Sequence, residues 1–194
     1  KYIMKSGQTF NDNEGTISAW IKRGSIGSNH IIFSSADQAT TTQSFMFYAR
    51  NTDKLTLLLR DDSVGFYDII DSTTTLSADQ WYHVVAMSNG TNYSLYVDGR
   101  KEVITPTTGG DGGYWFNDVT DRDNIGIGIL NRTSLASPFD GEIDEVQIYN
   151  RTLNATEISQ LYWAGVANGH TMNSSQTTAG DVWKLGVRGL DYSD

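Results

Sequence analysis

Residues 80–100 read QWYHVVAMSNGTNYSLYVDGR. Tyr82, Val84 and Ala86 alternate with His83, Val85 and Met87, the period-2 pattern of a strand whose two faces meet different surroundings. A second run, NYSLYV, ends in Asp98-Gly99, a dipeptide suited to the two-residue turn of an antiparallel hairpin, and the chain returns through residues 100–105. Working outward from this hairpin, similar runs recur at 15–22 (GTISAWIK), 30–34, 44–50 (SFMFYAR), 54–60 (KLTLLLR), 65–70, 124–130 (NIGIGIL) and 139–149. Segments rich in Gly, Asn, Asp, Ser and Thr separate them. Two prolines in 194 residues leave the strands free to pair. The architecture these runs predict is all-β, an antiparallel sandwich or barrel.

One helix is expected after the strands. Asn154 and Glu157 stand in capping-box spacing, and Ile158, Leu161 and Tyr162 then recur at i, i+3 and i+4, with Gly165 as a stop. Residues 1–166 therefore form the domain. Residues 167–180 read as a polar linker to a strand-like run at 181–190 (DVWKLGVRGL), where Trp183, Leu185 and Val187 face away from Val182 and Lys184. Such a tail could cover an open sheet edge by strand addition, in its own domain or in a neighbouring copy, the latter giving self-association; the alternative is that it begins a following domain and pairs with nothing in this chain.

Composition narrows the function. The net charge of −9, from 23 acidic and 14 basic residues, gives no concentrated basic face for nucleic acid. No apolar run reaches the roughly 18–20 residues of a bilayer span, so membrane insertion is not expected. With no Cys there is no disulfide framework, thiolate metal site or thiol nucleophile. His30, His83 and His170 lie at no metal-ligand spacing, and no nucleophile elbow accompanies them.

Three segments in order, GTISAWIKRGS (15–25), residues 80–100 and FDGEIDEVQIYNRTLNATEISQLY (139–162), resemble the laminin-G-like domains of the concanavalin-A-like lectin/glucanase superfamily. The resemblance covers residues 2 to about 163. It implies an antiparallel two-sheet jelly-roll β-sandwich with one short C-terminal helix, with ligands at a concave face or at rim loops. It implies a family-core place for Trp20 and Trp81, and an additional opening strand ahead of Tyr2. It also implies a structural calcium, Ca2+, at the closing strand, with Asp144 as side-chain ligand and carbonyls of the N-terminal region beside it. The alternative is that Asp144 satisfies backbone N–H groups. Glycoside hydrolases on this fold place acids at i, i+2 and i+4 of one strand; here Glu142 and Asp144 are followed by Val146, and Glu145 falls on the other face. No catalytic residues are assigned. Phe139, Gly141 and Ile143 share one phase and Val146 and Ile148 the other, so a bulge is expected near Asp144-Glu145.

The candidate ligand site is the Gly- and Asp-rich loop TPTTGGDGGYWFNDVTDRD (105–123). Tyr114 and Trp115 could stack on sugar rings while Asp111, Asn117 and Asp118 bond hydroxyls. The alternative is that the aromatic rings fold inward to anchor a long loop. The oxygen-rich stretch 117–124 lacks the Gly and terminal Glu of a helix-loop-helix calcium loop. Asn-x-Ser/Thr triplets begin at Asn89, Asn92, Asn131, Asn150, Asn154 and Asn173, glycosylation candidates of an extracellular or cell-surface glycoprotein. The expectation is a non-catalytic recognition or adhesion module that binds a glycan or surface glycoprotein. The rival is a structural block of a filament, adhesin stalk or virion that binds its own neighbours.

Overall fold

Along residues 43–49, Phe45 and Phe47 point to one side and Ser44, Met46 and Tyr48 to the other, and all five are buried. A strand buried on both faces lies inside a sheet that is covered on one side and hollowed on the other. The computed structural model, which describes residues 1–168, shows how this arises. In chain order the strands are β1 (Ile3–Ser6), β2 (Gly15–Arg23), β3 (His30–Ala36), β4 (Gln43–Ala49), β5 (Lys54–Asp61), β6 (Phe66–Thr75) and β7 (Trp81–Ser88). They continue as β8 (Tyr93–Val97), β9 (Arg100–Lys101), β10 (Thr105–Thr108), β11 (Asn124–Ile127), β12 (Leu130–Arg132), β13 (Ser134–Ala136) and β14 (Gly141–Tyr149), followed by helix α1 (Ala155–Ala167). The linker and strand-like run expected from residue 167 onward, with His170 and Asn173, lie outside the described residues apart from Ala167 and Asn168.

The fold is an antiparallel two-sheet sandwich. One sheet has seven strands in the order β1-β11-β3-β4-β5-β6-β10, the other five in the order β14-β2-β7-β8-β9, and β12-β13 is a separate hairpin. Between the sheets, Ile17, Ala19 and Ile21 of β2, Val84 and Ala86 of β7, and Leu95 meet Phe33, Phe45, Phe47, Leu55, Leu57 and Leu59 from the opposite layer. Burying one such side chain is worth about 1.5–3 kcal/mol, so this interface is the main source of stability.

Helix α1 covers the outer face of the five-stranded sheet, where Leu153 and Ile158 pack on Val85 and Tyr96. Its capping box forms as the sequence predicts: Asn154 Oδ1 accepts from Glu157 N at 3.0 Å, and Glu157 Oε2 accepts from Asn154 N at 2.8 Å. Gly165 is not the stop. The helix runs on to Ala167, and a Cβ at Gly165 would lie 1.9 Å from Trp20 Nε1, so this glycine lets the helix touch the sheet. Trp20 stacks there on Tyr162 at 5.6 Å. The strand expected at 124–130 divides into β11 and β12, and the return expected at 100–105 divides into β9 and β10, which pair in different sheets. The bulge expected in the closing strand is present: the register of β14 on β2 shifts between Asp144 and Gln147, and Glu145 has φ 49°.

The long loop after β10 is anchored from inside. Trp115 and Phe116 are fully buried and meet Phe45 at 5.0 and 4.5 Å. Buried Arg122 donates to the carbonyls of Phe116, Val119 and Phe10 and to Ser35 Oγ. Asp61 receives the amide and hydroxyl of Thr120 at 2.6 and 2.7 Å. Asp68 accepts from Tyr93 Oη at 3.0 Å and Gly110 N at 2.9 Å.

Two predictions follow from packing. Trp115→Ala is expected to cost about 3–5 kcal/mol, as aromatic truncations in cores do, and thermal unfolding should show a fall of roughly 2–4 °C for each of those. Asp98, in the hairpin turn with φ 52°, is 8% exposed and accepts from His83 N at 2.8 Å. Burial pushes its carboxyl up to about 6. The folded state therefore holds this proton more tightly than the unfolded chain, whose carboxyl titrates near 3.9. That stability is complete below the unfolded value and is lost as pH rises from about 4 to 6, a change of about 2–3 kcal/mol by linkage. Asp98→Asn keeps an acceptor and tolerates the positive φ. It should flatten this pH dependence in denaturant titrations and raise stability at pH 7.

Candidate functional site

The outer face of the seven-stranded sheet is built in rows that follow strand register. Met46, Leu58 and Ile69 pair across β4, β5 and β6 and form an apolar row. Ser44, Arg60 and Tyr67 pair across the same strands to form a polar row beside it. On the other side Ile31 pairs with Tyr48, which pairs with Thr56. The β12-β13 hairpin supplies a wall through Leu130 and Arg132, and Asn29, Arg50, Asn51 and Ser137 complete a cleft of about 320 Å³.

The chemistry of this cleft is cationic over an apolar floor. Ile31, Met46, Tyr48, Leu58, Ile69 and Leu130 form one buried cluster. Above it stand the guanidinium groups of Arg50, Arg60 and Arg132, and none of the lining residues is Asp, Glu or His. Arg50 is held by Asp71 at 3.0 Å and by Thr107 at 3.1 Å. Arg60 makes paired bonds of 2.7 and 2.6 Å to Asp62 and lies 5.0 Å from the ring centre of Tyr67. Arg132 donates to the carbonyl of Thr41 at 3.1 Å and has no carboxylate partner among the described residues. Ser44 is 1% exposed, and its Oγ has no hydrogen-bond partner among the described residues. Burial pushes the Tyr48 hydroxyl up to about 12, against the pull of Arg50, so it stays protonated. The arrangement presents N–H and O–H donors converging over a nonpolar surface, a form that holds an anion attached to a partly apolar body. The titratable hydroxyls of the lining are those of Tyr48 and Tyr67, with no carboxyl or imidazole beside them in the lining.

The residues expected to form the site in the loop are spent differently. Trp115 is in the core and offers no stacking face, because its ring fills the space beside Phe45; this corrects the sugar-platform expectation for that residue. Tyr114 stacks on Phe66 at 4.0 Å. Asp111 accepts from Asn92 Nδ2 at 3.1 Å and from Tyr93 N at 2.5 Å. Asp118 Oδ2 accepts from Trp115 N at 2.7 Å, and Asn117 is exposed with its amide bonded to Asp12 O. None of these lines the cleft. The cleft escaped the sequence reading because its members come from β3, β4, β5, β6, β12 and the loops between them. One signal was present: adjacent runs SFMFYAR and KLTLLLR both end in arginine.

Asp144 lies opposite Trp20 in the register and so belongs to the face that α1 covers. Lys1, Tyr2 and Ile3 instead share a cavity with Gly141, Glu142 and Ile143, and Ile143 packs on the inner core. No group of three or more His, Asp or Glu side chains suited to a metal ion occurs among the described residues. Asp144 Oδ1 accepts from the amide of Glu145 at 2.8 Å. Among the sequons, Asn131 is 8% exposed, Asn154 caps the helix, Asn89 Oδ1 accepts from Thr91 N and Asn92 N, and Asn150 is exposed.

No curated protein sequence matches the chain. Among solved structures, the CBM40 of the Ruminococcus gnavus IT-sialidase bound to α2,3-sialyllactose superposes with a TM-score of 0.67 at 18% identity, over 82% of this chain and 98% of that one. The leech intramolecular trans-sialidase gives 0.67 at 19% identity, over 92% of this chain and 29% of the enzyme. A heptameric SAP-like pentraxin from Limulus polyphemus gives 0.58 at 18% identity, over 82% and 74%. These likenesses share the two-sheet sandwich described above, and a family model matches residues 1–159. On that match the chain belongs to the concanavalin A-like lectin/glucanase superfamily.

Proposed function

We propose that this domain is a non-catalytic carbohydrate-binding module whose cleft on the open face of the seven-stranded sheet holds an acidic sugar of the sialic acid class. The observation that carries the reading is the set of three arginines around a buried apolar floor, with no acidic residue in the lining. A sugar carboxylate is a planar two-oxygen anion, which matches a guanidinium fork, and a pyranose ring has an apolar face to lay on Met46, Leu58 and Ile69. Arg132 is the guanidinium with donors to spare, and the Tyr48 hydroxyl in the lining adds a neutral bond to a ligand oxygen. The CBM40 structure that holds sialyllactose shares this sandwich, which supports the choice of ligand class.

Arg132→Ala is expected to weaken binding of a sialylated glycan by tenfold or more, since a charge-assisted bond is worth about 1.5–3 kcal/mol. The melting temperature should move little, because that side chain is half-exposed and makes one carbonyl bond. Titration calorimetry with sialylated and desialylated forms of one glycan measures both. Equal affinity for the two forms would remove the reading. A second expectation concerns pH. The lining holds no Asp, Glu or His, so affinity should be flat between about pH 5 and pH 8. A bell-shaped profile, or release of free acidic sugar, would mark a catalytic site instead.

A further inference from the structure

The cleft does not end at its arginines. Asn29, Asn51 and Ser137 line it and also line a neighbouring basin of about 560 Å³ at the end of the sandwich, whose other wall includes Ser28 and Asp140. The two hollows are therefore one continuous surface with a change of chemistry at the shared residues. In the cleft the lining charges are all positive; in the basin the lining carboxylate is that of Asp140, and Asp53 stands behind it, bonded to Gly27 N at 2.8 Å. The basin also keeps polar atoms in reserve. Asn29 Oδ1 accepts from Asn51 N at 2.8 Å, which turns its Nδ2 group out as a donor. The Asn51 and Ser137 side chains make no hydrogen bond among the described residues, and Asp140 uses Oδ2 for Ser25 while Oδ1 remains available.

We propose that this basin is a second sugar subsite, taking a neutral, hydroxyl-rich residue linked to the acidic sugar in the cleft and turning away a second acidic one. The inference rests on the cleft reading and adds the class of the whole ligand: an acidic sugar at the end of a chain whose next unit is uncharged. Amides, a hydroxyl and a carboxylate oxygen pair with vicinal hydroxyls, while the same carboxylate repels another anion at close range.

The test compares three probes by calorimetry on the full chain: the methyl glycoside of sialic acid, its disaccharide with galactose, and its disaccharide with a second sialic acid. The galactose disaccharide should bind about 5- to 10-fold tighter than the methyl glycoside, the gain of one or two net hydrogen bonds. The di-acidic probe should bind no tighter than the methyl glycoside. Asp140→Ala should erase much of the galactose gain and leave the methyl glycoside unchanged, and Asp140→Asn should improve the di-acidic probe. If the methyl glycoside and the galactose disaccharide bind equally and the basin variants change nothing, the subsite is overturned while the cleft reading stands. If none of the probes binds, the cleft reading fails and the subsite falls with it.

Discussion

One of the buried cations, Arg122, orders much of this domain. Arg122 sits 8% exposed with no carboxylate beside it, and its guanidinium is satisfied by three backbone carbonyls and a serine hydroxyl. Burial alone lowers its affinity for its proton, to about 10, so it stays charged at neutral pH. A charge removed from water without partners costs several kcal/mol. Its partners here come from the segment before β2, the loop after β10 and strand β3, so all three must be in place together. With them in place Phe116 and Trp115 close one end of the sandwich against Phe45, and the strands that carry the cleft have a fixed backing.

The two outer faces of the sandwich divide the work. On the five-stranded sheet the outward side chains Val85 and Tyr96 are apolar and receive the helix. On the seven-stranded sheet the outward row Met46, Leu58 and Ile69 is equally apolar, and among the described residues its cover is the short β12-β13 hairpin at one margin. The remaining opening is edged by arginines and tyrosines.

Much of the architecture is legible in the chain because strands and caps are local. Alternation at 44–50 and 81–88, the Asp98-Gly99 turn, the Asn154/Glu157 cap and the two-phase pattern that demands a bulge at Asp144-Glu145 each depend on residues within one turn or strand. What was not legible depends on contacts across the fold. Gly165 reads as a helix stop until Trp20 is known to press on it from the sheet. Trp115 reads equally as platform or anchor until Phe45 is found beside it. The cleft unites Ile31 with Arg132, a separation no periodicity spans, and register alone puts Ser44, Arg60 and Tyr67 in one row.

The contrast between the arginine-edged cleft and a chain of net charge −9 has a consequence at two length scales. Beyond the Debye length, about 8 Å at physiological ionic strength, the domain presents itself to other molecules as an anion only weakly felt. At contact distance, inside the cleft, it presents cations in a partly desolvated setting where screening is slight. Dilute salt lets the outer field repel densely acidic surfaces, and moderate salt silences that field before it reaches the guanidinium groups. Under the acidic-sugar reading, discrimination against polyanions at a distance is therefore strongest in dilute salt and fades as salt rises, while contact inside the cleft persists.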